Sequence, residues 1–438
     1  MYARPAGAAR AGQVGRTHNL CVLVKTSGND PTKRSTVTYD HLKRNVDYFC
    51  PNVRMGMATA ASLEAGGFLR SAHVDMCVPP GTRAEVLERM AGPRARNRVV
   101  RDIPMDRICR HPQLALISRA RWVLMMAGRD TASMDRLLVK TYRSIAMKCL
   151  SDAVVGTQST SLELFADRKH RIMEQISHPR LHERAVAAEE LARFPDWAPD
   201  FIARITQWDG RMEREWAEAD QIWVPASGLI DASRRYGADP RKFRIIPYPI
   251  AGRVQVVASR EFTKRRPLRV IYAGTLMLRK GVQYIYQALH KRHLPIQMHF
   301  FGQNQLTPFG LSRLAEIGTV HGHVPRSQLL GEFRTADALL FPSLSEGSAL
   351  VTLEATGLGV PVIATEETGA PASAMIIPSR DPEAIVEALE LLVDDRTLLG
   401  KLSEAGLAEA AKRDYAAYTA CITESLSNLT APLRKRQQ

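Results

Sequence analysis

Short apolar runs alternate with helical patterns along much of the chain, and this alternation predicts an α/β protein with parallel sheets. The clearest unit spans residues 337–365. The run Ala338–Phe341 predicts a buried strand, a small polar loop follows at 343–347, and the run 360–364 predicts a second strand. With a helix between the two strands, the loop is expected at the carboxyl end of a parallel sheet, where ligands bind in open α/β folds.

The helix between these strands is predicted to begin after Ser348, whose side chain is a good cap, and to end at Gly357 and Gly359. Glu346 comes just before this helix start. The N–H groups of residues 347–350 would favour an anion there, because the first backbone donors of a helix have no partner within the helix. We therefore expect a polar ligand group at this helix start.

Glu354 is predicted to lie about two turns into the same helix, between Leu353 and Ala355, where charged residues are almost absent. A carboxylate in such surroundings is costly unless it forms hydrogen bonds. Ribose hydroxyls would be suitable partners. The spacing alone equally allows a helix-face residue that meets solvent or a nearby arginine.

The remaining apolar runs predict further strands and helices in both halves of the chain. Strands are predicted at 20–24, 153–155, 171–176, within 219–227, at 243–246, Leu268–Ala273, Ile296–Phe301, 318–324 and 373–378. Helices are predicted at 38–49, 137–150, 159–167, 185–194, 201–219, 228–236, Val282–Leu289, 325–336, 381–393, Arg396–Lys412 and 414–429. For the runs 74–78, 99–103 and 122–126 the pattern leaves strand and helix open.

The length of 438 residues is too great for one ordinary core, so two domains are expected. The predicted divisions are a disordered tail at 1–17, a Rossmann-like domain at 18–250, a linker at 251–267, a second Rossmann-like domain at 268–413, and a last helix with a basic tail at 414–438. The tail at 1–17 lacks the apolar core of a signal peptide.

Composition narrows the class of protein without identifying a partner. Apolar residues make up 45% and charged residues 24% of the chain, which is typical of a soluble globular protein. The net charge of +15 favours anionic partners, namely nucleotide sugars, anionic acceptors, an anionic membrane surface or nucleic acid. A solvated arginine-rich surface explains the same charge equally well.

No run of about eighteen apolar residues predicts a transmembrane helix. The six cysteines have no paired spacing, which argues against a zinc site or a disulfide framework and fits a reducing cytosol. We therefore expect a cytoplasmic protein, and leave open a peripheral contact with the inner face of an anionic membrane.

A glycine-rich turn follows the predicted strand Leu268–Ala273. It runs from Gly274 to Gly281 and carries Arg279 and Lys280 just before a helix. Such a turn can hold a diphosphate, since the helix dipole and the two cations act together. The alternative is a surface Arg–Lys pair at a helix start. No G-x-G-x-x-G follows the first predicted strand, so the sequence carries no dinucleotide fingerprint there.

The central unit, S-E-G-S-A-L-V-T-L-E-A followed by G-L-G-V-P-V-I-A-T, resembles the Glu-x7-Glu motif of family 4 retaining glycosyltransferases. The turn from Gly274 to Gly281 is similar to that family's G-R-L-x-x-x-K-G, with Lys280 at its lysine and Thr275 in place of its arginine. The resemblance covers roughly residues 219–429. It implies the GT-B fold, in which two Rossmann-like domains face each other across a cleft and a C-terminal helix crosses back to the first domain.

The resemblance also implies roles for particular residues. Glu346 would lie by the donor sugar, Glu354 would contact the ribose, and the backbone near Val324 would hold the base. The implied donor-binding residues are Gly274, Thr275, Arg279, Lys280, Val324, Gly347, Ser348, Ala349, Leu350 and Glu354. The catalytic candidates are Glu346, Lys280 and His178. His178, in a loop after a predicted strand, is the candidate for acceptor-side chemistry, with a surface loop histidine as the alternative.

The implied function is retaining transfer of a sugar from a nucleotide-diphosphate sugar to a glycan, lipid-linked or small-molecule hydroxyl. The second domain would bind the donor and the first the acceptor. No cofactor or metal is expected, and His321 and His323 are not interpreted as ligands because a similar G-H-V-P-R occurs in the family.

Two other classes stay open. A degenerate GT-B protein that binds a nucleotide sugar or a partner without transfer is suggested by Thr275 and by the shortened segment 366–378. A nucleic-acid-binding protein would need an aromatic-studded basic patch, which the sequence lacks, so no specific nucleic-acid partner is expected.

Overall fold

The computed structural model describes residues 42–51, 57–77, 102–199, 210–250 and 266–429. The first part of this chain forms seven parallel strands: β1 (Val46–Cys50), β2 (Leu69–Val74), β3 (Ile108–Arg110), β4 (Ala153–Thr157), β5 (His170–Glu174), β6 (Gln221–Val224) and β7 (Phe243–Ile245). Their order in the sheet is β3-β2-β1-β4-β5-β6-β7. The order reverses between β1 and β4, so the crevice outside the carboxyl ends of these two strands is a position where α/β proteins bind ligands.

Helices cover this first sheet. They are α1 (Ala58–Ala65), α2 (Pro112–Met126), α3 (Ala132–Ala146), α4 (Arg180–Arg193), α5 (Arg211–Glu218) and α6 (Gly228–Arg234). Strands β1 and β4 are buried at every position, as expected for central strands of a parallel sheet with both faces covered.

The second part forms a six-stranded parallel sheet. Its strands are β8 (Leu268–Ala273), β9 (Ile296–Phe301), β10 (Thr319–Gly322), β11 (Ala338–Phe341), β12 (Val362–Thr365) and β13 (Met375–Ile377), in the order β10-β9-β8-β11-β12-β13. Its helices are α7 (Val282–Leu289), α8 (Pro308–Ile317), α9 (Arg326–Thr335), α10 (Leu350–Gly357), α11 (Pro382–Asp394) and α12 (Arg396–Lys412). Here the order reverses between β8 and β11.

The last described helix, α13 (Tyr415–Ser427), returns to the first domain. Its Tyr418 hydroxyl lies 2.9 Å from Thr59 Oγ1 of α1, and Ser425 Oγ donates to Gln221 Oε1 of β6 over 2.8 Å. These contacts confirm the predicted crossing helix. Among the described residues, no helix combines the length and the apolar character needed to span a bilayer.

Helix α4 belongs in sequence to the first domain, yet it packs on the second. The buried Glu190 carboxylate accepts hydrogen bonds from Gln283 Nε2 (2.7 Å), Tyr284 Oη (2.8 Å) and Arg380 Nε (2.6 Å). Val186 of the same helix joins the second domain's hydrophobic core. This packing holds the loop before α4 against the second domain.

Two predicted helices are wrong. Residues 46–49 of the predicted helix 38–49 lie in strand β1, where Asp47 is buried because it accepts from Ser71 Oγ (2.5 Å) and from the Ser151 N–H (3.0 Å). The segment 159–167 forms turns, and the buried Glu215 carboxylate accepts the N–H groups of Ser159 and Ser161 there. In both places a contact with a distant residue stabilises a structure that the local pattern did not predict.

Other predictions are shifted or lie outside the described residues. The run 122–126 belongs to α2, and β2 ends at residue 74, where a strand or helix piece was expected to begin. The tail 1–17, the strand at 20–24, most of the linker 251–267 and the basic residues at 434–436 lie outside the described residues.

Candidate functional site

The candidate site lies where β8 and β11 end, at the point where the order of the second sheet reverses. A cavity of about 610 Å³ opens there. Five of the predicted donor-binding residues contribute to its wall, together with Gln303, Arg326 and His323, none of which was predicted to bind the donor. The five are Gly274, Thr275, Val324, Leu350 and Glu354.

The glycine-rich turn brings its two cations to the loop of the Glu-x7-Glu motif. Gly281 has φ +74°, and a Cβ there would overlap the carbonyl oxygen of Pro342, so only glycine allows this close approach. The Leu344 N–H donates to the Arg279 carbonyl over 2.9 Å. The turn and the loop at 343–347, called the motif loop below, therefore form one unit, although they are separated by more than sixty residues in sequence.

Lys280 Nζ contacts Glu346 Oε1, which also accepts from Ser343 Oγ over 3.2 Å. Arg279 Nη1 lies 3.7 Å from the same carboxylate oxygen and donates to the Ser345 carbonyl. The three charged side chains are only 13% to 19% exposed. An ion pair this enclosed is screened little by solvent, so its charges act strongly on any group that enters the crevice.

The backbone donors of the motif loop are only partly available. The N–H of Ala349 donates to the Thr368 carbonyl over 2.9 Å. In the described part of the chain, the N–H groups of Gly347 and Ser348 have no backbone partner. The prediction that Ser348 caps the helix is wrong, because α10 begins without a side-chain cap. The Ser348 hydroxyl is buried and has no hydrogen-bond partner in the described residues, as expected for a group that meets a ligand.

The first domain contacts this loop directly. A Cβ on Gly347 would overlap the carbonyl oxygen of Ile176, which follows strand β5. His178, two residues further along, is only 3% exposed, and its Nδ1 lies 2.7 Å from Ser345 Oγ. The alternative of a surface loop histidine is therefore wrong. Across the domain interface, His178 contacts Ser345, the residue directly before Glu346.

The His178 imidazole is neutral near pH 7. Burial lowers its pKa to about 3, and the nearby His182, Arg279 and Arg235 lower it in the same direction. A group with so low a pKa is a poor proton acceptor from an acceptor hydroxyl. It is better suited to orienting groups by hydrogen bonding.

Glu354 has a cationic partner. Arg326 Nε donates to Glu354 Oε1 over 2.7 Å, and both side chains line the cavity of about 610 Å³. An arginine partner is one of the alternatives that the sequence allows, and the structure identifies it as Arg326. Its position at the first residue of α9, directly after Val324-Pro325, is the signal that could have identified it.

His321 lies in β10 and His323 directly follows this strand, and the two histidines have different surroundings. His321 Nε2 lies 3.0 Å from His299 Nδ1, and its ring stacks on Phe301 with centroids 4.3 Å apart. His323 lines the cavity. No cluster of three or more potential metal ligands occurs in the described ranges.

Residues 267–395 match the protein family described as glycosyl transferases group 1. Over 388 residues, the chain is 29% identical to a D-inositol 3-phosphate glycosyltransferase of Paenarthrobacter aurescens, covering 81% of this chain and 86% of the relative. These two matches support a family 4-type glycosyltransferase. A second relative of the same name, from Streptomyces scabiei, is 28% identical over 274 residues, which are 57% of this chain and 58% of the relative.

Solved structures resemble this glycosyltransferase in fold. Sucrose-phosphate synthase of Thermosynechococcus elongatus aligns with TM-score 0.56 and 16% identity, over 88% of this chain and 98% of that one. An Anabaena protein in complex with UDP and glucose aligns with TM-score 0.53 and 14% identity, over 88% and 99% of the two chains. The predicted GT-B fold is confirmed.

As a member of this class, the glycosyltransferase transfers a sugar from a nucleotide sugar to an acceptor. The transferase names of its relatives favour turnover over the inactive scaffold that the sequence had left open.

Proposed function

We propose that this glycosyltransferase binds a nucleotide-diphosphate sugar in the crevice between β8 and β11 and transfers the sugar, with retention, to a hydroxyl of a small polyol. The observation that carries the proposal is the contact between Lys280 and Glu346, beside a cavity of about 610 Å³ whose wall contains Glu354. The cation follows β8 and the carboxylate follows β11, the two strands that flank the reversal point of the sheet, where α/β proteins bind nucleotides.

The donor would occupy the cavity with its base near the Val324 backbone and its ribose hydroxyls on Glu354. Its diphosphate would lie on the turn that contains Gly274 and Thr275, within reach of Arg279 and Lys280. The sugar would then extend toward Glu346 and the N–H groups of Gly347 and Ser348. The Ala349 N–H would play no part while it is bound to Thr368.

In this arrangement, the diphosphate would compete with Glu346 for Lys280. As the bond between the anomeric carbon and the diphosphate oxygen breaks, negative charge grows on the leaving oxygen. Lys280, shared between Glu346 and the diphosphate once the donor has bound, would stabilise that charge together with Arg279. Glu346, freed in part from Lys280, can accept a hydrogen bond from a sugar hydroxyl.

The acceptor hydroxyl would attack the anomeric carbon from the face on which the diphosphate leaves. The new carbon–oxygen bond forms as the old one breaks, and the acceptor proton passes to the departing diphosphate oxygen. This route needs no protein nucleophile and retains the configuration. His178 would orient the sugar or the acceptor as a neutral hydrogen-bonding group, because its pKa of about 3 makes it a weak base.

The names of the comparison proteins indicate which substrates to test first. The relatives named for D-inositol 3-phosphate support a small polyol acceptor over a long glycan or a lipid-linked one. The Anabaena structure with UDP and glucose supports a uridine diphosphate sugar as the first donor.

Nucleotide titration tests the donor site. One of UDP, GDP and ADP is expected to raise the melting temperature of the wild-type protein, because a ligand that binds only the folded state stabilises it. Glu354→Ala is expected to weaken binding of that nucleotide by about 10- to 100-fold, since a hydrogen bond to a charged group contributes about 1.5–3 kcal/mol. Isothermal titration calorimetry measures the affinities.

The matched control is Glu383→Ala, which removes a carboxylate from an exposed pair with Arg292 in the same domain. Its nucleotide affinity should equal that of the wild type. Equal affinity in Glu354→Ala and wild type, or no thermal shift with any nucleotide, would contradict the donor site proposed here.

We further propose that the enzyme contacts an anionic membrane surface, as at the inner face of a membrane, through helix α2. Leu116 and Val123 are 72% and 50% exposed, and Trp122 on the same helix is 38% exposed with the Arg119 guanidinium 4.7 Å from its ring centroid. Apolar and aromatic residues mixed with arginine suit the interface of a bilayer, and the net charge of +15 favours anionic lipid.

Vesicle co-sedimentation tests this contact. The protein is expected to bind vesicles rich in phosphatidylglycerol and to bind vesicles of phosphatidylcholine alone only weakly. Binding to the anionic vesicles should weaken as the salt concentration rises, because counterions screen the attraction. The double variant Leu116→Gln, Val123→Gln should bind several-fold less, whereas Leu391→Gln, an exposed leucine of the second domain, should bind normally. Equal binding of both variants would count against α2 as the contact.

A further inference from the structure

A buried carboxylate of the first domain contacts the helix that follows the glycine-rich turn. Glu190 of α4 is fully buried, and it accepts hydrogen bonds from Gln283 Nε2 (2.7 Å) and Tyr284 Oη (2.8 Å). Both donors belong to the first turn of α7, which begins directly after Gly281. No local pattern predicts this contact, because 93 positions separate Glu190 from Gln283.

Gln283 links this carboxylate to the glycine-rich turn itself. Its amide nitrogen also donates to the carbonyl of Leu278 over 2.9 Å, and the Gly281 N–H donates to the same carbonyl over 2.9 Å. The bond from Gly281 closes the short helical turn Leu278–Lys280, which carries the two cations of the proposed donor site. A single side chain therefore connects Glu190 to the backbone that holds these cations.

The two acceptors of the Gln283 amide fix its orientation. A carboxylate and a backbone carbonyl only accept hydrogen bonds, so the NH2 group of Gln283 must face both of them. The side-chain oxygen then points away, and it is buried without a hydrogen-bond partner in the described part of the chain. An unpaired buried acceptor costs free energy, so the two donations are what hold the amide in this orientation.

The second domain supports the same carboxylate with an unusual backbone conformation. Arg380 Nε donates to Glu190 Oε1 over 2.6 Å, and Arg380 adopts φ +60°, a left-handed conformation uncommon for a residue other than glycine. Strained conformations of this kind persist where the surrounding contacts hold them, and they cluster at functional sites. Arg380 compensates the charge of Glu190 through one oxygen, which leaves the other oxygen to Gln283 and Tyr284.

Helix α4 also reaches the proposed site at its other end. It begins directly after His178 and Pro179, and His178 bonds Ser345 of the motif loop. Glu183, in the first turn of α4, lies 3.9 Å from Arg279 Nη1. One segment of the first domain therefore contacts both the motif loop and the glycine-rich turn.

We propose that Glu190 is a positioning residue for sugar transfer, which acts through the Gln283 amide to hold the glycine-rich turn, and hence Lys280, where the diphosphate of the donor binds. This inference rests on the proposed function and deepens it, because it assigns the alignment of the donor site to a helix of the first domain. Glu190 would act without touching the donor. The other possible role is a contact that only stabilises the packing of the domains, and the two roles predict different kinetics.

Kinetics of two single variants and their combination test the positioning role. Glu190→Gln is expected to lower kcat by about tenfold or more and to change KM for the donor by less than about threefold, because the turn carrying Lys280 is no longer fixed. Gln283→Met keeps the shape of the side chain but removes both donations, so it should have a similar effect. The double variant should lose about as much kcat as either single variant, because the two residues act through one path.

Glu189→Gln is the matched control. It removes the adjacent carboxylate of the same helix, which bonds Arg380 and Arg193, each over 2.7 Å. Its kcat should equal that of the wild type. Arg380→Lys weakens the support of Glu190 but leaves the Gln283 amide in place, so it should lower the melting temperature and keep kcat within about threefold of wild type.

Two results would overturn the proposal. The first is a wild-type kcat in folded Glu190→Gln. The second is a fall of kcat in all of these variants in proportion to their melting temperatures, which would show that Glu190 only stabilises the packing.

Hydrogen exchange gives a readout that needs no substrate. In folded Glu190→Gln, the backbone amides of residues 278–281 should exchange about threefold or more faster than in the wild type, and Glu189→Gln should leave them unchanged. If exchange and kcat both stay at wild-type values in Glu190→Gln, the positioning role is wrong and the donor site stands. If the wild type binds no nucleotide, the donor site is wrong, and the exchange of the turn decides separately whether Glu190 holds it.

Discussion

Replacing Lys280 by alanine is expected to lower kcat by about 10²- to 10³-fold, because it removes a preorganised cation from the leaving diphosphate. Lys280 contacts Glu346 in the free enzyme, so the variant also leaves that carboxylate without its nearest cation. Arg279, 3.7 Å away, compensates only in part because it is held by the Ser345 carbonyl. Steady-state kinetics with a sugar donor of the nucleotide that the titration identifies measures the loss.

Two further variants test whether the loss of activity is specific to the charge and position of Lys280. Lys291→Ala removes an exposed lysine from the same domain and should leave kcat unchanged. Lys280→Arg keeps the charge but not the position, so its activity should lie between those of wild type and Lys280→Ala. If Lys280→Ala retained more than about a tenth of wild-type kcat, this would contradict the proposal that Lys280 stabilises the leaving group.

Gly347→Ala is expected to lower kcat/KM about 100-fold without unfolding the protein. The added methyl would overlap the Ile176 carbonyl oxygen, so the first domain and the motif loop must separate. A displacement of about 1 Å between reacting groups costs about 10²-fold in rate. The effect follows from the close approach alone, because Gly347 does not adopt a positive φ and alanine can take its backbone conformation.

The control for this substitution is Gly331→Ala in helix α9, where a Cβ meets nothing within 4 Å. It should leave activity unchanged and stabilise the helix by about 0.5–1 kcal/mol. Thermal unfolding shows whether Gly347→Ala remains folded. Wild-type activity in a folded Gly347→Ala would mean that the contact with Ile176 is not needed for transfer.

Much of the second domain follows from its sequence alone. The predicted strands Leu268–Ala273 and Ile296–Phe301 and the helix Val282–Leu289 have the observed bounds. Their apolar runs are short and are bounded by turn residues, so the local pattern is unambiguous. The resemblance in the Glu-x7-Glu unit then identified the class of protein, and five of its implied donor residues line one cavity.

The first domain was less predictable because its local patterns are overridden from a distance. The segment 38–49, which includes Asp47, was predicted as a helix, yet Asp47 lies in β1 and two serines far along the chain satisfy its carboxylate in the core. The turns at 159–167 depend on Glu215, more than fifty residues away. No window of sequence contains both members of such a pair.

The sequence by itself predicted the class of fold, the bounds of three elements of the second domain, and the side chains that we propose to carry the donor chemistry. Only the tertiary structure decided which of these groups meet. It places Lys280 on Glu346, Arg326 on Glu354 and, across 167 positions, His178 on Ser345. Local patterns report the burial and backbone preferences of neighbouring residues, whereas contacts between distant segments depend on how separately formed elements pack.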